Sequence, residues 1–178
     1  LYNNIISDNE RYGLSISTSS NVYIWNNTIS NNEDNDITLV SGSSVYSIGS
    51  SFSTISVSSD SILTIKSYID LNVTDARGLS ISGIDLRIKE GDSVKYSTDY
   101  FGGSDPKTDA NGTIVTFLVD SKKYDGSSTP TVIPTSVSAR SNDWIETTIF
   151  DPSEIINITV PDLRVLNTRT EVLTYNIQ

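Results

Sequence analysis

The sequence predicts an all-β chain in two parts. A stack of short parallel coils spans about residues 1–66, and an antiparallel β-sandwich spans about residues 67–163. Three observations carry this. A phrase of 23 residues is written twice near the amino terminus. Apolar residues alternate with polar ones in short bursts bounded by Gly, Asn, Asp and Pro, the period of a strand with one buried face. No stretch sustains the i, i+3, i+4 apolar spacing that a helix needs to bury a face.

The repeat is read directly. "NNIISDNERYGLSISTSSNVYI" begins at Asn3 and "NNTISNNEDNDITLVSGSSVYS" begins at Asn26. Asn3, Asn4, Ile6, Ser7, Asn9, Glu10, Ser20, Val22 and Tyr23 recur as Asn26, Asn27, Ile29, Ser30, Asn32, Glu33, Ser43, Val45 and Tyr46. Leu14 and Ile16 become Ile37 and Leu39 and stay apolar. A period of this size marks a solenoid. Within it, Ile6, then Leu14 with Ile16, then Val22 with Ile24 describe three short strands and three corners. Stacking at the ~4.8 Å strand spacing sets Asn27 beneath Asn4 and Asn32 beneath Asn9, where side-chain amides hydrogen-bond along the stack. A third, degraded turn follows. "ISV" at Ile55–Val57 echoes "LSI" at Leu14–Ile16, and "SSDSILTI" at Ser58–Ile65 echoes "SSNVYIW" at Ser19–Trp25, with a corner shortened between Phe52 and Ile55.

Beyond Ser67 the period is gone. Ile69, Leu71 and Val73 alternate with Asp70, Asn72 and Thr74, the chain turns at "DARG", and alternation resumes through Ile84, Leu86 and Ile88. "KTDANGTIVTFLV", "TSVSARSNDWIETTIF" and "IINITVPDL" are further strand-like runs, and turn signals between them suit a sandwich. A Ser/Pro-rich insert, "YDGSSTPTVIPTS", implies an enlarged loop or an edge excursion. The tail 164–178 is strand-like but has no evident partner. A linker, the first strand of another domain, and a strand donated to a neighbour's sheet all stay open for it.

Composition restricts the chemistry. The chain of 178 residues has no Cys, Met or His, 12 basic and 22 acidic side chains, and a net charge of −10. Disulfides, thiolate metal sites, cysteine nucleophiles and His-based catalysis are therefore excluded. The acidic balance opposes nucleic acid, whose phosphates select clustered Lys and Arg. No apolar run approaches the ~18 residues of a membrane span. The missing Met implies that Leu1 is not a translation start, so a processed chain or a piece of a longer one is expected.

"NNTISNN" followed by "DITL" resembles the right-handed parallel β-helix, specifically the short-repeat type of NosD-like and pectate-lyase-like surface proteins. "VTDARGLSISGIDLRI" with "TDANGTI" resembles immunoglobulin-like modules of the carboxypeptidase-regulatory and Cna-B type, on Asp75, Gly78, Gly83, Thr108, Asp109, Asn111 and Gly112. The first resemblance implies a scaffold that hosts polysaccharide lyases and hydrolases as well as structural proteins. The second implies spacers, stalks and adhesion units, with no chemistry of their own.

Candidate sites follow from the stacking. Asp8, Glu10, Glu33, Asp34 and Asp36 are carboxylates that a glycosidase would need in a facing pair, yet a solvated corner explains them more simply, and only Arg11 supplies a cation in the coils. No catalytic residue is therefore expected. Calcium is the one cofactor the loops suit, at "NEDND" (Asn32–Asp36) or at Asp109, Asn111 and Gly112, although Lys107 stands where the first ligand belongs. Solvated or Asn-Gly turns are the ordinary reading of both. Tyr23, Trp25 and Tyr46 point outward and form a candidate contact surface for sugar rings or a neighbouring subunit. N-x-[ST] sequons stand at Asn26, Asn72, Asn111 and Asn157, and the alternation turns Asn72 and Asn157 to solvent. The reading that joins these points is a non-catalytic extracellular or cell-surface structural protein. Its partners would be its own copies or the rest of a larger surface protein, and glycans. The alternative is the C-terminal part of a carbohydrate-active β-helix enzyme or a glycan-binding adhesin.

Overall fold

The structure is a computed structural model that describes residues 1–19, 21–69, 71–141, 144–150 and 156–159. The described residues are almost entirely strand and turn. There is no α-helix among them, and a single 3-10 turn lies at Asp99–Phe101. The chain forms two compact units, one of residues 1–68 and 118–135, the other chiefly of residues 69–117 and 136–149.

The first unit is a stack of parallel coils. Strands β1 (Ile5–Ser7), β2 (Tyr12–Ser17) and β3 (Val22–Trp25) lie on β4 (Thr28–Ser30), β5 (Asn35–Val40) and β6 (Ser44–Ile48). Ile5 pairs with Thr28, Leu14 with Ile37 and Val22 with Val45, so each partner stands one 23-residue phrase further along. In the third turn, β7 (Ile55–Val57) pairs Ile55 with Ile37, and β8 (Ile62–Ile69) pairs Leu63 with Val45. The offset there falls from 23 to 18, which locates the shortened corner expected between Phe52 and Ile55. Ser51 still bridges to Thr28 at the full offset, so the five residues are lost between Ser51 and Ile55.

Each part of the phrase has a physical reason. Ile24, Ile37, Leu39, Val45 and Leu63 are fully enclosed, and Ile29 is nearly so. Burying a side chain of this size stabilises by ~1.5–3 kcal/mol. The corners need left-handed backbone, and small polar residues supply it. Asn3, Asn26 and Gly49, one above another, have φ of 54°, 52° and 60°, while Asp8 and Asn31 have 58° and 57°. Asn and Asp tolerate this region because their side chains bond locally, and Gly because it lacks Cβ.

The enclosed amides hold the coils together. Asn27 Oδ1 accepts the Asn4 backbone N–H at 2.9 Å and Asn4 Nδ2 at 3.0 Å, and the Asn27 N–H donates to Ser50 Oγ at 3.1 Å. Asn9 Nδ2 donates to Asn32 Oδ1 at 2.7 Å, as the stacking of the two phrases predicts. A third ladder of hydroxyls runs through Ser43 and Ser61, with the Ser43 N–H donating to Ser61 Oγ at 3.1 Å. Groups buried this deeply would cost stability if left unpaired.

One element of the first unit was not expected there. β12 (Phe117–Asp125) lies beside β8, and β13 (Thr131–Val132) turns back antiparallel on β12, giving the sheet order β13-β12-β8-β6-β3. Lys66 pairs with Asp120, Ser121 Oγ donates to the Ile65 carbonyl at 3.1 Å, and Tyr124 packs on the coil core. The Ser/Pro-rich insert is thus the end of this hairpin. Pro130 and Pro134 bracket the two-residue edge strand, where a missing N–H discourages further pairing.

Among the described residues, the second unit contains two sheets. β10 (Asp85–Glu90), β11 (Ser93–Ser97), β14 (Thr135–Ser141) and β15 (Trp144–Phe150) form one in the order β11-β10-β14-β15, and β9 (Leu71–Thr74) pairs in parallel with β16 (Ile156–Thr159) in the other. Its core holds Ile69, Leu71, Val73, Ile84, Leu86 and Ile88. The tail 164–178 lies outside the described residues.

Candidate functional site

The coil formed by residues 1–19 differs from the one beneath it in having nothing on its upper face among the described residues. Its inward side chains show the difference. Leu1 is 51% exposed, whereas Ile24, one period later, is fully enclosed. Ile6, Leu14 and Val22 are only half-buried over the enclosed Ile29, Ile37 and Val45. β1 and β2 each end their sheets and carry a free edge. Over β3 a further rung is only begun. Tyr2 bridges to Trp25 in parallel, the Trp25 N–H donates to the Leu1 carbonyl at 2.9 Å, and the Asn3 N–H donates to the Trp25 carbonyl at 3.0 Å.

The proposed contact residues lie on the outer face of this sheet. Tyr23 stacks on Tyr46 with ring centroids 5.0 Å apart and 24° between planes, and the Lys66 ammonium sits 5.2 Å from the Tyr46 centroid. Trp25 is half-buried and meets Tyr2 edge to face at 6.2 Å. The rings stack along the coil axis, so their faces are turned toward one another rather than outward. That leaves edges for a ligand approaching from the side. The ring face of Tyr23 opposite Tyr46 lies at the upper end of the stack, and Tyr23 is 52% exposed.

The acidic corner holds one residue that sequence reasoning misread. Asp36 is not solvated; only 1% of it is exposed. Its Oδ2 accepts the Ser53 N–H at 2.8 Å, Ser53 Oγ at 2.8 Å and the Thr54 N–H at 3.2 Å, while Oδ1 accepts Asn32 Nδ2 at 3.0 Å. Burial alone would raise its pKa, but these bonds outweigh it and hold the carboxyl far below the usual range. A carboxylate so held does not exchange protons at neutral pH. It closes the shortened corner, tying Asn32 of its own coil to Ser53 and Thr54 of the next. The opposing position in the coil above is Gly13, where a Cβ would lie 2.5 Å from both Asn32 Nδ2 and Ile29 Cγ2. The other acids do surround a solvated corner. Asp8, Glu10, Glu33 and Asp34 are exposed, and Arg11 approaches Asp34 at 3.6 Å. Among the described residues, no three acidic side chains gather as a metal site would require.

In the second unit, Asp109 Oδ1 accepts the N–H groups of Asn111 and Thr113, each at 2.9 Å, and Thr113 Oγ1 at 3.1 Å. Those bonds, led by the Thr113 N–H, lower its pKa. This is a closed Asx turn, and Lys107 is drawn away to Asp85 at 3.0 Å. Tyr96, Pro106, Ile114 and Val115 line a shallow cleft beside the turn. Of the sequons, Asn26 and Asn111 are exposed. Asn72 corrects the expectation of a solvent-facing side chain: it is half-buried, and its Oδ1 is enclosed without a partner. The cause is local, since Thr113 bridges to Asn72 and the backbone at Gly112 closes over it. Asn157 stands opposite Asn72 in the β16–β9 register, and its side chain lies outside what the structure describes.

No helix among the described residues is long and apolar enough to cross a membrane. A family model described as "right handed beta helix region" matches residues 1–86, so the chain contains such a region. Among curated proteins and among solved structures, nothing matches the chain.

Proposed function

We propose that the chain is a non-catalytic structural protein of the cell exterior, a subunit or piece of an S-layer, sheath, filament or stalk, and that it works through protein–protein contacts. The observation that supports this most is the exposed tyrosine column on the outer face of the coil sheet, where Tyr23 stacks on Tyr46 at 5.0 Å and is 52% exposed. Aromatic side chains of this kind are enriched at protein contact surfaces. The second unit reads as an immunoglobulin-like spacer. The exposed Asn26 and Asn111 suit glycan attachment in such a setting.

Sedimentation velocity and electron microscopy of the purified chain across a wide concentration range test this reading. Concentration-dependent oligomers or ordered polymers are expected. A strictly monomeric chain at the highest concentration overturns it.

A further inference from the structure

We infer that the outer face of the sheet β11-β10-β14-β15 is a docking surface for a second copy of this chain, which meets it with the acidic corner of its coils. This rests on the structural role proposed above and names one contact through which copies join.

Alternation fixes what the face carries. Leu86 and Ile88 of β10, with Val137 and Ala139 of β14, are buried in the core, so Arg87, Lys89, Ser138 and Arg140 lie on the opposite side. The 3-10 turn lays its two rings there. The Arg140 guanidinium carbon sits 3.4 Å from the Tyr100 ring centroid, and that of Arg87 sits 5.0 Å from the Phe101 centroid. The two rings meet edge to face at 5.0 Å. Apolar side chains flank this cluster at both margins. The half-exposed Val94 stands beside Lys89 in the β10–β11 register. On the other margin the hydroxyls of Ser138 and Thr147 meet at 2.9 Å, so the half-exposed Ile145, two residues from Thr147, shares the face.

Charge decides what the face takes. The chain has 22 acidic and 12 basic side chains, yet Arg87, Lys89 and Arg140 meet no carboxylate among the described residues. The acids of β10 are already engaged, Asp85 with Lys107 and Glu90 with Lys95, each at 3.0 Å. Asp99 is exposed at the start of the turn and pairs with none of the three among the described residues. Arg87 Nε is enclosed without an acceptor, which leaves its Nη groups to meet a carboxylate. Guanidinium groups are preorganised for this by their planar fork, so little entropy is lost on binding. Arginines set among aromatic and exposed apolar side chains have the composition of a protein contact. A polysaccharide offers no apolar side chains to Val94 and Ile145.

The face cannot be its own partner, because a two-fold contact would set cations against cations. The counterpart is a different surface of the copy, and Glu33 and Asp34 supply it. Both side chains are exposed, and their backbone N–H groups are fixed to the carbonyls of Asn9 and Arg11 at 3.0 and 2.8 Å. Arg11 approaches Asp34 only at 3.6 Å, so the corner keeps a negative balance. A contact between unlike surfaces repeats from copy to copy into a ring or a row.

Sedimentation velocity of the full chain tests this at about 0.15 M salt, where general repulsion is screened beyond ~8 Å. Arg87→Glu with Arg140→Glu reverses the face, and Glu33→Lys with Asp34→Lys reverses the corner. Each pair alone should weaken self-association by about tenfold or more in Kd. The corner pair is the stricter test, since it lowers the net negative charge and general repulsion alone would predict tighter association. Mixed in equal amounts, the two variants should associate again, as opposite charges now meet in alternation. A chain with all four changes keeps the parent's net charge and should regain its association. Recovery in the mixture also shows that both variants are folded. Association unchanged in both variants refutes the contact and leaves the structural role standing, whereas a parent that stays monomeric removes both. Loss without recovery in the mixture and in the fourfold variant refutes the contact as well. Parent retention on polygalacturonate that Arg87→Glu with Arg140→Glu abolishes, with self-association untouched, assigns the face to an acidic polysaccharide and overturns the inference.

Discussion

Asn27→Ala is the sharpest probe of the coil stack. Four hydrogen bonds leave with the amide. Oδ1 loses the Asn4 N–H and Asn4 Nδ2, and Nδ2 loses the carbonyls of Trp25 at 3.1 Å and Leu1 at 3.3 Å. Their costs differ. The Trp25 carbonyl keeps the Asn3 N–H, the Leu1 carbonyl keeps the Trp25 N–H, and Asn4 Nδ2 keeps the Tyr2 carbonyl at 2.8 Å. Only the Asn4 N–H loses its partner outright. With ~0.5–1.5 kcal/mol for each ordinary bond and ~1–3 kcal/mol for a covered donor left unpaired, the variant should lose about 2–3 kcal/mol. Asn4→Ala removes one end of the same ladder, but Asn27 Oδ1 keeps the Asn4 N–H, so about 0.5–1 kcal/mol is expected. Urea unfolding followed by Trp25 fluorescence, in a Trp144→Phe background, reports on the coil unit alone. Equal losses for the two variants, or a greater loss for Asn4→Ala, would refute the account of the ladder.

Gly13→Ala should destabilise the coil unit by about 1–3 kcal/mol through overpacking against Asn32 and Ile29, measured in the same urea titration. Asp36 gives a pH signature. Its folded pKa is depressed, so its stabilisation is complete above the unfolded value near 3.8 and is lost as pH falls from there toward the folded value. Thermal midpoints taken from pH 6 down to pH 2 should drop more steeply in the parent than in Asp36→Asn, and parallel curves would count against the carboxylate as the closing group. A double-mutant cycle on Tyr23→Ala and Tyr46→Ala should return a coupling of about 0.5–1.5 kcal/mol for the stacked pair, and near-zero coupling would mean the rings merely coexist.

The coils were legible because their information is local and repeated. Asn4 with Asn27 and Leu14 with Ile37 stand one phrase apart, so an ungapped self-comparison reveals both register and facing side. Even the shortened corner shows, since the strands on either side keep their echo. The hairpin of β12 and β13 was not legible. "FLVDSKKYD" alternates as any strand does, and nothing in it names β8, some 50 residues earlier, as its partner. Asp36 escaped for a related reason. Its neighbours Ser53 and Thr54 come from the irregular turn, where the period that organises everything else is broken. Asn72 alternates with buried Leu71 and Val73, so pattern alone sent it outward, but the excursion through Gly112 covers it.

The third turn drops five residues between Ser51 and Ile55, yet Ile55 still meets Ile37 and Val57 still meets Leu39. Length at that bend is therefore decoupled from the identity of the rungs on either side. A bend that tolerates contraction is a natural port for cargo: epitopes or metal-binding peptides grafted between Ser51 and Phe52 should ride on the scaffold without disturbing its threading, because Ser53 and Thr54 then stay in place to hold Asp36.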